Sequence, residues 1–327
     1  MFSKMSAGWK RNMTTRSFSF NGIEVAVDGP DSGYPVILCM GAGEQLTHWP
    51  EELVLGLVAH GFRVVRFDAR DTGLSPRYEQ LREDDFPTVF ARLVAGDEVL
   101  LPYTLIDMAN DIVGIMDGLN LAAAHLVGVS LGGMQAQIVA ARHPERVASL
   151  TSIMSNSGNP ALPPPDPEIT AKLLSASAPD ADDEARIEHF IAIRSGLAGS
   201  EYLRDATEWR AAAERSLARG AAPASTPRQI AASLATRDRY SMLADIMAPT
   251  LVIHGADDPV MPVASGVDTA NTITDARCIV IPGMGHDVSA ALAPALVALI
   301  AEHAAAASES FDPDQVRKQS NVYADQN

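Results

Sequence analysis

Positive charge is scarce in this chain of 327 residues: 25 lysines and arginines stand against 41 aspartates and glutamates, a formal net charge of -16. A surface of that sign repels phosphate backbones and anionic headgroups, so neither nucleic acid nor a membrane surface is expected as a partner. Cysteine is rarer still. There are two, Cys39 and Cys278, each inside an apolar run that reads as a buried strand. A disulfide framework is therefore not expected, and a reduced, cytoplasmic compartment fits. No apolar run reaches the roughly 18 residues that span a bilayer. The N-terminus, interrupted by Lys4, Lys10, Arg11 and Arg16, lacks the apolar core of an export signal. Nor is charge abundant enough for disorder: 20% charged against 47% hydrophobic residues suffices for a sizeable core without staples.

No internal repeat and no linker divides the sequence. It reads as one catalytic domain over 17–155 and 248–307, interrupted by a helical cap over 156–247. Aperiodic tails over 1–16 and 308–327 flank it. A homo-oligomer is compatible with this organisation.

What is present is an alternation of two patterns. Phe18–Phe20 and Ile23–Val27 flank Asn21-Gly22, a dipeptide suited to a type I′ turn, which predicts an opening β-hairpin. The runs 35–40, 62–67, 124–127, 147–153, 250–253 and 277–281 are short and almost wholly apolar, as parallel strands buried on both faces are. Helical periodicity occupies 51–60, 103–119, 134–142 and 293–307. The order predicts an α/β fold with a mostly parallel sheet, helices on both faces, and ligands beyond the carboxyl ends of the strands. Between Asn156 and Met247 the alternation stops. Pro160, Pro163, Pro164, Pro165 and Pro167 lead there into Ala-rich helical stretches carrying Tyr202, Trp209 and Tyr240.

The chemistry concentrates in four loops. Gly128-Val129-Ser130-Leu131-Gly132 lies between a strand and a helix, the setting of a nucleophile elbow, where glycines two places either side of the serine relieve a tight turn and leave its Oγ exposed. The pattern alone is weak and an ordinary loop with Ser130 as helix cap would also satisfy it; the strand and helix around it make it specific. A serine hydroxyl needs a base to take its proton and a carboxylate to orient that base. Of eight histidines, His286 alone ends a strand-loop suited to reach Ser130. The loop His254-Gly255-Ala256-Asp257-Asp258-Pro259 offers two acids, Asp257 and Asp258. An oxyanion needs two backbone N–H donors, one from Leu131 and one from the loop Met40-Gly41-Ala42-Gly43. His48, close to that loop, is a candidate substrate contact, as are Trp209 and Tyr240 in the cap. No metal or organic cofactor is called for.

These motifs resemble the α/β-hydrolase superfamily. In that family the acid occupies the fourth position of a G-x-x-D loop, which falls on Asp258, and the base a G-x-G-H loop, which falls on His286. The resemblance also implies Ala42 as the second amide donor. Met40-Gly41 replaces the commoner His-Gly. Together with Arg66-Phe67-Asp68-Ala69-Arg70-Asp71-Thr72-Gly73-Leu74-Ser75, it makes the chain similar to the aclacinomycin methylesterase-like branch. The likeness spans about residues 17 to 305 and is weak in the cap. It implies a serine carboxylesterase acting on a small-molecule ester, with Asp68, Arg70, Asp71 and Gly73 holding the loop beside the site. Dehalogenases and epoxide hydrolases of this fold use a carboxylate where this chain has Ser130. Proline iminopeptidases show a tryptophan where it has Leu131, and remain the alternative enzyme. A non-catalytic binder of small ligands is the alternative outside catalysis.

Overall fold

The computed structural model describes residues 15–78, 80–81, 85–163, 166–175, 181–220, 225–236, 239–309 and 311–312. Most of both expected tails, and Pro164 and Pro165, lie outside these residues. The opening hairpin pairs β1 (Arg16–Phe20) antiparallel with β2 (Ile23–Asp28). Its turn residues Asn21 and Gly22 have φ of 53° and 85°, as a type I′ turn requires. Arg16, assigned to the tail from sequence, is instead the first residue of β1 and pairs with Asp31.

The remaining strands are β3 (Pro35–Cys39), β4 (Arg63–Phe67), β5 (Ala124–Val129), β6 (Val147–Ile153), β7 (Thr250–Gly255) and β8 (Arg277–Ile281). They form one eight-stranded sheet in the order β1-β2-β4-β3-β5-β6-β7-β8. All neighbours from β4 to β8 are parallel, while β2 joins β4 antiparallel. The strands alternate their side chains between two cores. From β3, Ile37 and Cys39 enter one, with α3 (Leu105–Gly118) and α4 (Leu131–Arg142), while Val36 and Leu38 enter the other, with α1 (Glu51–Ala59) and α11 (Ala293–Ser308).

Two helices were not anticipated, α2 (Phe86–Ala95) and α10 (Val263–Thr272). Cys278 was expected in a buried strand and is exposed. Its strand β8 is the sheet's edge, with the burial of most of its residues incomplete, so a run apolar in sequence is not covered on both faces. Cys39, on a central strand, is buried.

Between β6 and β7 the chain inserts α5 (Pro167–Leu174), α6 (Asp183–Ser195), α7 (Ala206–Ala218), α8 (Ser225–Ala235) and α9 (Arg239–Met242). Arginines of this insertion tie it to the loop after β4. Arg228 of α8 grips Asp71 through two hydrogen bonds of 2.5 and 2.9 Å, and the Tyr103 hydroxyl donates to the same carboxylate at 2.9 Å. Arg219 donates to Asp68 at 2.6 Å, while Arg70 pairs with Asp111 of α3.

Candidate active site

Ser130 stands between β5 and α4 with φ 54° and ψ -119°, a conformation L residues rarely adopt and one that costs on the order of 1–3 kcal/mol. The surroundings fix it. Its N–H donates to Ile153 O at 2.9 Å, and its carbonyl accepts from Gly133 N at 3.0 Å and from Ser155 Oγ at 2.8 Å. Glycine is required on both sides. A Cβ at Gly128 would lie 2.3 Å from Gly132 O, and one at Gly132 would lie 2.1 Å from Cys39 O; backbone atoms cannot yield to such contacts.

His286, 156 positions later in the chain, reaches this serine: its Nε2 lies 3.0 Å from Ser130 Oγ. Its Nδ1 donates to Asp258 Oδ2 at 2.8 Å, which leaves Nε2 as the acceptor for the serine hydroxyl. The other Asp258 oxygen accepts from the Val260 and Met261 amides, both at 2.8 Å. Burial alone would push the Asp258 carboxyl up. The adjoining His286 and these hydrogen bonds reverse that and hold it below the ordinary carboxylate value. His254 lies behind the acid, with Nε2 donating to Met261 O at 2.8 Å and 3.8 Å from Asp258 Oδ2; burial lowers its pKa. Asp257 turns the other way and accepts hydrogen bonds from the N–H and hydroxyl of Ser200.

Ser130 and His286 open onto a cavity of about 210 Å³. Its wall is mainly apolar and includes Met134, Met154, Leu197, Ile230, Val260 and Met261. Ala42 and Leu131 line it beside Ser130, and neither amide donates to another described residue. Gly41 brings the Ala42 loop close: a Cβ there would sit 3.5 Å from Ser130 Cβ.

The other expected contacts are not brought to this cavity. His48 packs its ring on Phe190, 5.8 Å between centroids, and its Nδ1 accepts from Gln45 N at 2.8 Å. Trp209 is buried beneath the Arg204 guanidinium, 5.0 Å from the ring centroid, and Tyr240 belongs to α9 outside the wall. Aromatic content marks where a helix can pack, not which face meets a ligand. Conversely, Glu44, Arg194, Asn156 and Asp287 do line the cavity, and sequence reading missed them. Glu44 pairs with Arg194 across 150 positions, a juxtaposition no local pattern carries.

A profile described as alpha/beta hydrolase fold matches residues 34–290, and the chain belongs to that family. Among its relatives, it is 29% identical over 300 residues to the rhodomycin D methylesterase DnrP of Streptomyces peucetius, covering 86% of this chain and 94% of that protein. It is 27% identical over 256 residues to a 2-hydroxy-6-oxononadienedioate/2-hydroxy-6-oxononatrienedioate hydrolase of Cupriavidus pinatubonensis, 77% of this chain and 80% of that one. Its fold is similar to that of an enol-lactonase from Burkholderia xenovorans LB400, with a TM-score of 0.64 and 20% identity over 88% of this chain and 99% of the other.

Proposed function

We propose that this protein is a serine hydrolase that cleaves a small to medium, apolar carboxylic ester through an acyl-enzyme on Ser130. The observation that carries the reading is the unbroken series of hydrogen bonds from Asp258 through His286 to Ser130 Oγ at the wall of an apolar cavity. In this reading His286 takes the hydroxyl proton as Ser130 attacks the ester carbonyl. Asp258 fixes the imidazole tautomer and stabilises the imidazolium. The Ala42 and Leu131 amides receive the oxyanion, a contribution of about 2.7–4 kcal/mol for one such donor in a comparable site. His286 then protonates the leaving alcohol, and water, activated by the same imidazole, releases the acid.

Similarity to a methylesterase supports ester cleavage. The cavity supports a small to medium substrate: at about 210 Å³ it falls below the ~300–1,000 Å³ of drug-sized pockets. Residues 156–247 act as the cap that encloses this substrate. A p-nitrophenyl butyrate and a proline naphthylamide assayed side by side test the reading. The ester is hydrolysed and the amide is not; preference for the amide would instead make the protein an aminopeptidase.

A further inference from the structure

The loop that supplies Ala42 is held more by the helical insertion than by the sheet it leaves. Four consecutive residues each have a partner there. The Ala42 carbonyl accepts from Arg194 Nη2 of α6 at 3.4 Å. The Gly43 N–H donates to Gln229 Oε1 of α8 at 2.8 Å. The Glu44 carboxylate pairs with the Arg194 guanidinium, and Gln45 Nε2 donates to Ser216 O of α7 at 2.9 Å. From the catalytic domain the next residue is fixed, Leu46 N–H donating to Asp68 Oδ1 at 2.8 Å, and Asp68 is itself bound by Arg219.

The fit at Gly43 is close. Its φ is 69°, and a Cβ there would lie 1.8 Å from Thr226 Oγ1 of α8. The loop is thus confined between Ser130 on one side and α8 on the other. Gln229 is rigid at both ends: it is fully buried, and while Oε1 takes the Gly43 amide its Nε2 donates to Arg70 O at 2.8 Å. Gln229 is not among the residues that line the cavity, whereas Arg194 is.

We infer that Gln229 and Arg194 are positioning residues which hold the Ala42 amide where the oxyanion develops, so that the insertion governs turnover as well as substrate choice. This rests on the acyl-enzyme reading of Ser130. An amide displaced by about 1 Å loses the alignment on which transition-state stabilisation depends, a cost of about 10²-fold in rate. A ground-state ester, whose carbonyl carries little charge, is bound almost as well.

The test uses Gln229→Met, which is near-isosteric, and Arg194→Met, which is shorter and loses the cation beside Glu44, in the full chain; both remove the hydrogen bonds to the loop. For each, kcat and KM are measured on p-nitrophenyl butyrate, and Ki on a short-chain alkyl trifluoromethyl ketone, whose serine adduct carries the oxyanion. Expected are a fall in kcat of roughly 10²-fold with KM within about threefold, and a parallel rise in Ki. Arg194→Lys, which keeps a cation beside Glu44, recovers part of kcat. Unchanged kcat and Ki with a raised KM would overturn the inference, leaving these residues to shape the cavity alone. Should Gln229→Met unfold, Arg194→Met, on the less buried of the two sites, decides by the same criteria. Fluorophosphonate labelling of the unsubstituted protein separates the two levels of failure. If Ser130 is labelled but both variants turn over normally, only the positioning role falls; if Ser130 is not labelled, the acyl-enzyme reading falls with it.

Discussion

Asp257 and Asp258 are adjacent in the chain, yet their carboxylates serve different parts of the molecule. Asp258 accepts from His286 Nδ1 at 2.8 Å, with its side chain fully buried, whereas Asp257 bonds Ser200 at the exposed rim of the insertion. Two backbone amides, of Val260 and Met261, fold the loop around Asp258 and set this division. Asp258→Asn therefore lowers kcat by about 10⁴-fold, the loss when a triad acid is exchanged for its amide and the imidazole takes the wrong tautomer. Asp257→Asn leaves kcat within a few-fold. Steady-state ester kinetics on the two variants check the pair, and equal activities would remove Asp258 from its assigned role.

The turn at Ser130 tolerates no side chain at Gly128 or Gly132. Gly132→Ala would set a Cβ 2.1 Å from Cys39 O, joining α4 to β3 backbone to backbone. The expected result is loss of ester hydrolysis together with a lowered unfolding midpoint, because neither the α4 nor the β3 main chain can withdraw without breaking its own helix or sheet hydrogen bonds. Circular dichroism melting and an ester assay on the same preparation report both.

Residue-level chemistry was legible where local physics dictates it. Asn21-Gly22 announced its turn by needing two positive φ values, and the glycines around Ser130 announced a turn too tight for Cβ atoms. The helix α10 was not legible, since its sequence VASGVDTANT is a poor helix former. It is helical because it packs on β7, with Gly266 so close to His254 that a Cβ would lie 2.5 Å from Nδ1. Helix α2 did carry signals, a proline in its first turn, apolar Phe86, Val89 and Leu93 at helical spacing, and Gly96 at its end with φ 98°. The partners of the Ala42 loop left no such trace, because Arg194, Ser216 and Gln229 meet it only through tertiary folding.

The buried Arg228–Asp71 pair makes a second stability prediction. Both side chains are almost wholly excluded from solvent and Tyr103 completes the carboxylate's hydrogen bonds. Removing one partner by Asp71→Ala leaves an uncompensated guanidinium and costs about 3–5 kcal/mol. Urea denaturation measures this, and a change below about 1 kcal/mol would contradict it.

Acid sensitivity follows from the buried histidines. Burial, together with the nearby His303, lowers His125 from an ordinary 6.5 to about 4. The same cause lowers His254 and His303. The unfolded chain therefore binds protons that the folded chain refuses, so stability falls as pH drops below about 6.5 and, for His125, continues to fall until about pH 4. Asp258 and Glu44, held below the ordinary carboxylate range, add to the loss at still lower pH, because their stabilisation disappears as pH falls through their folded values. His125→Asn is expected to flatten the upper part of this limb in melting curves recorded from pH 7 to 4, and a limb of unchanged slope would contradict its share.

The central claim, that Ser130 is a nucleophile activated by His286, is tested most directly by intact and peptide mass spectrometry after brief exposure to a fluorophosphonate. The account predicts one adduct per chain, located on Ser130, absent in Ser130→Ala and formed far more slowly in His286→Ala. A folded protein that takes up no adduct, or takes it up on another residue, would contradict it.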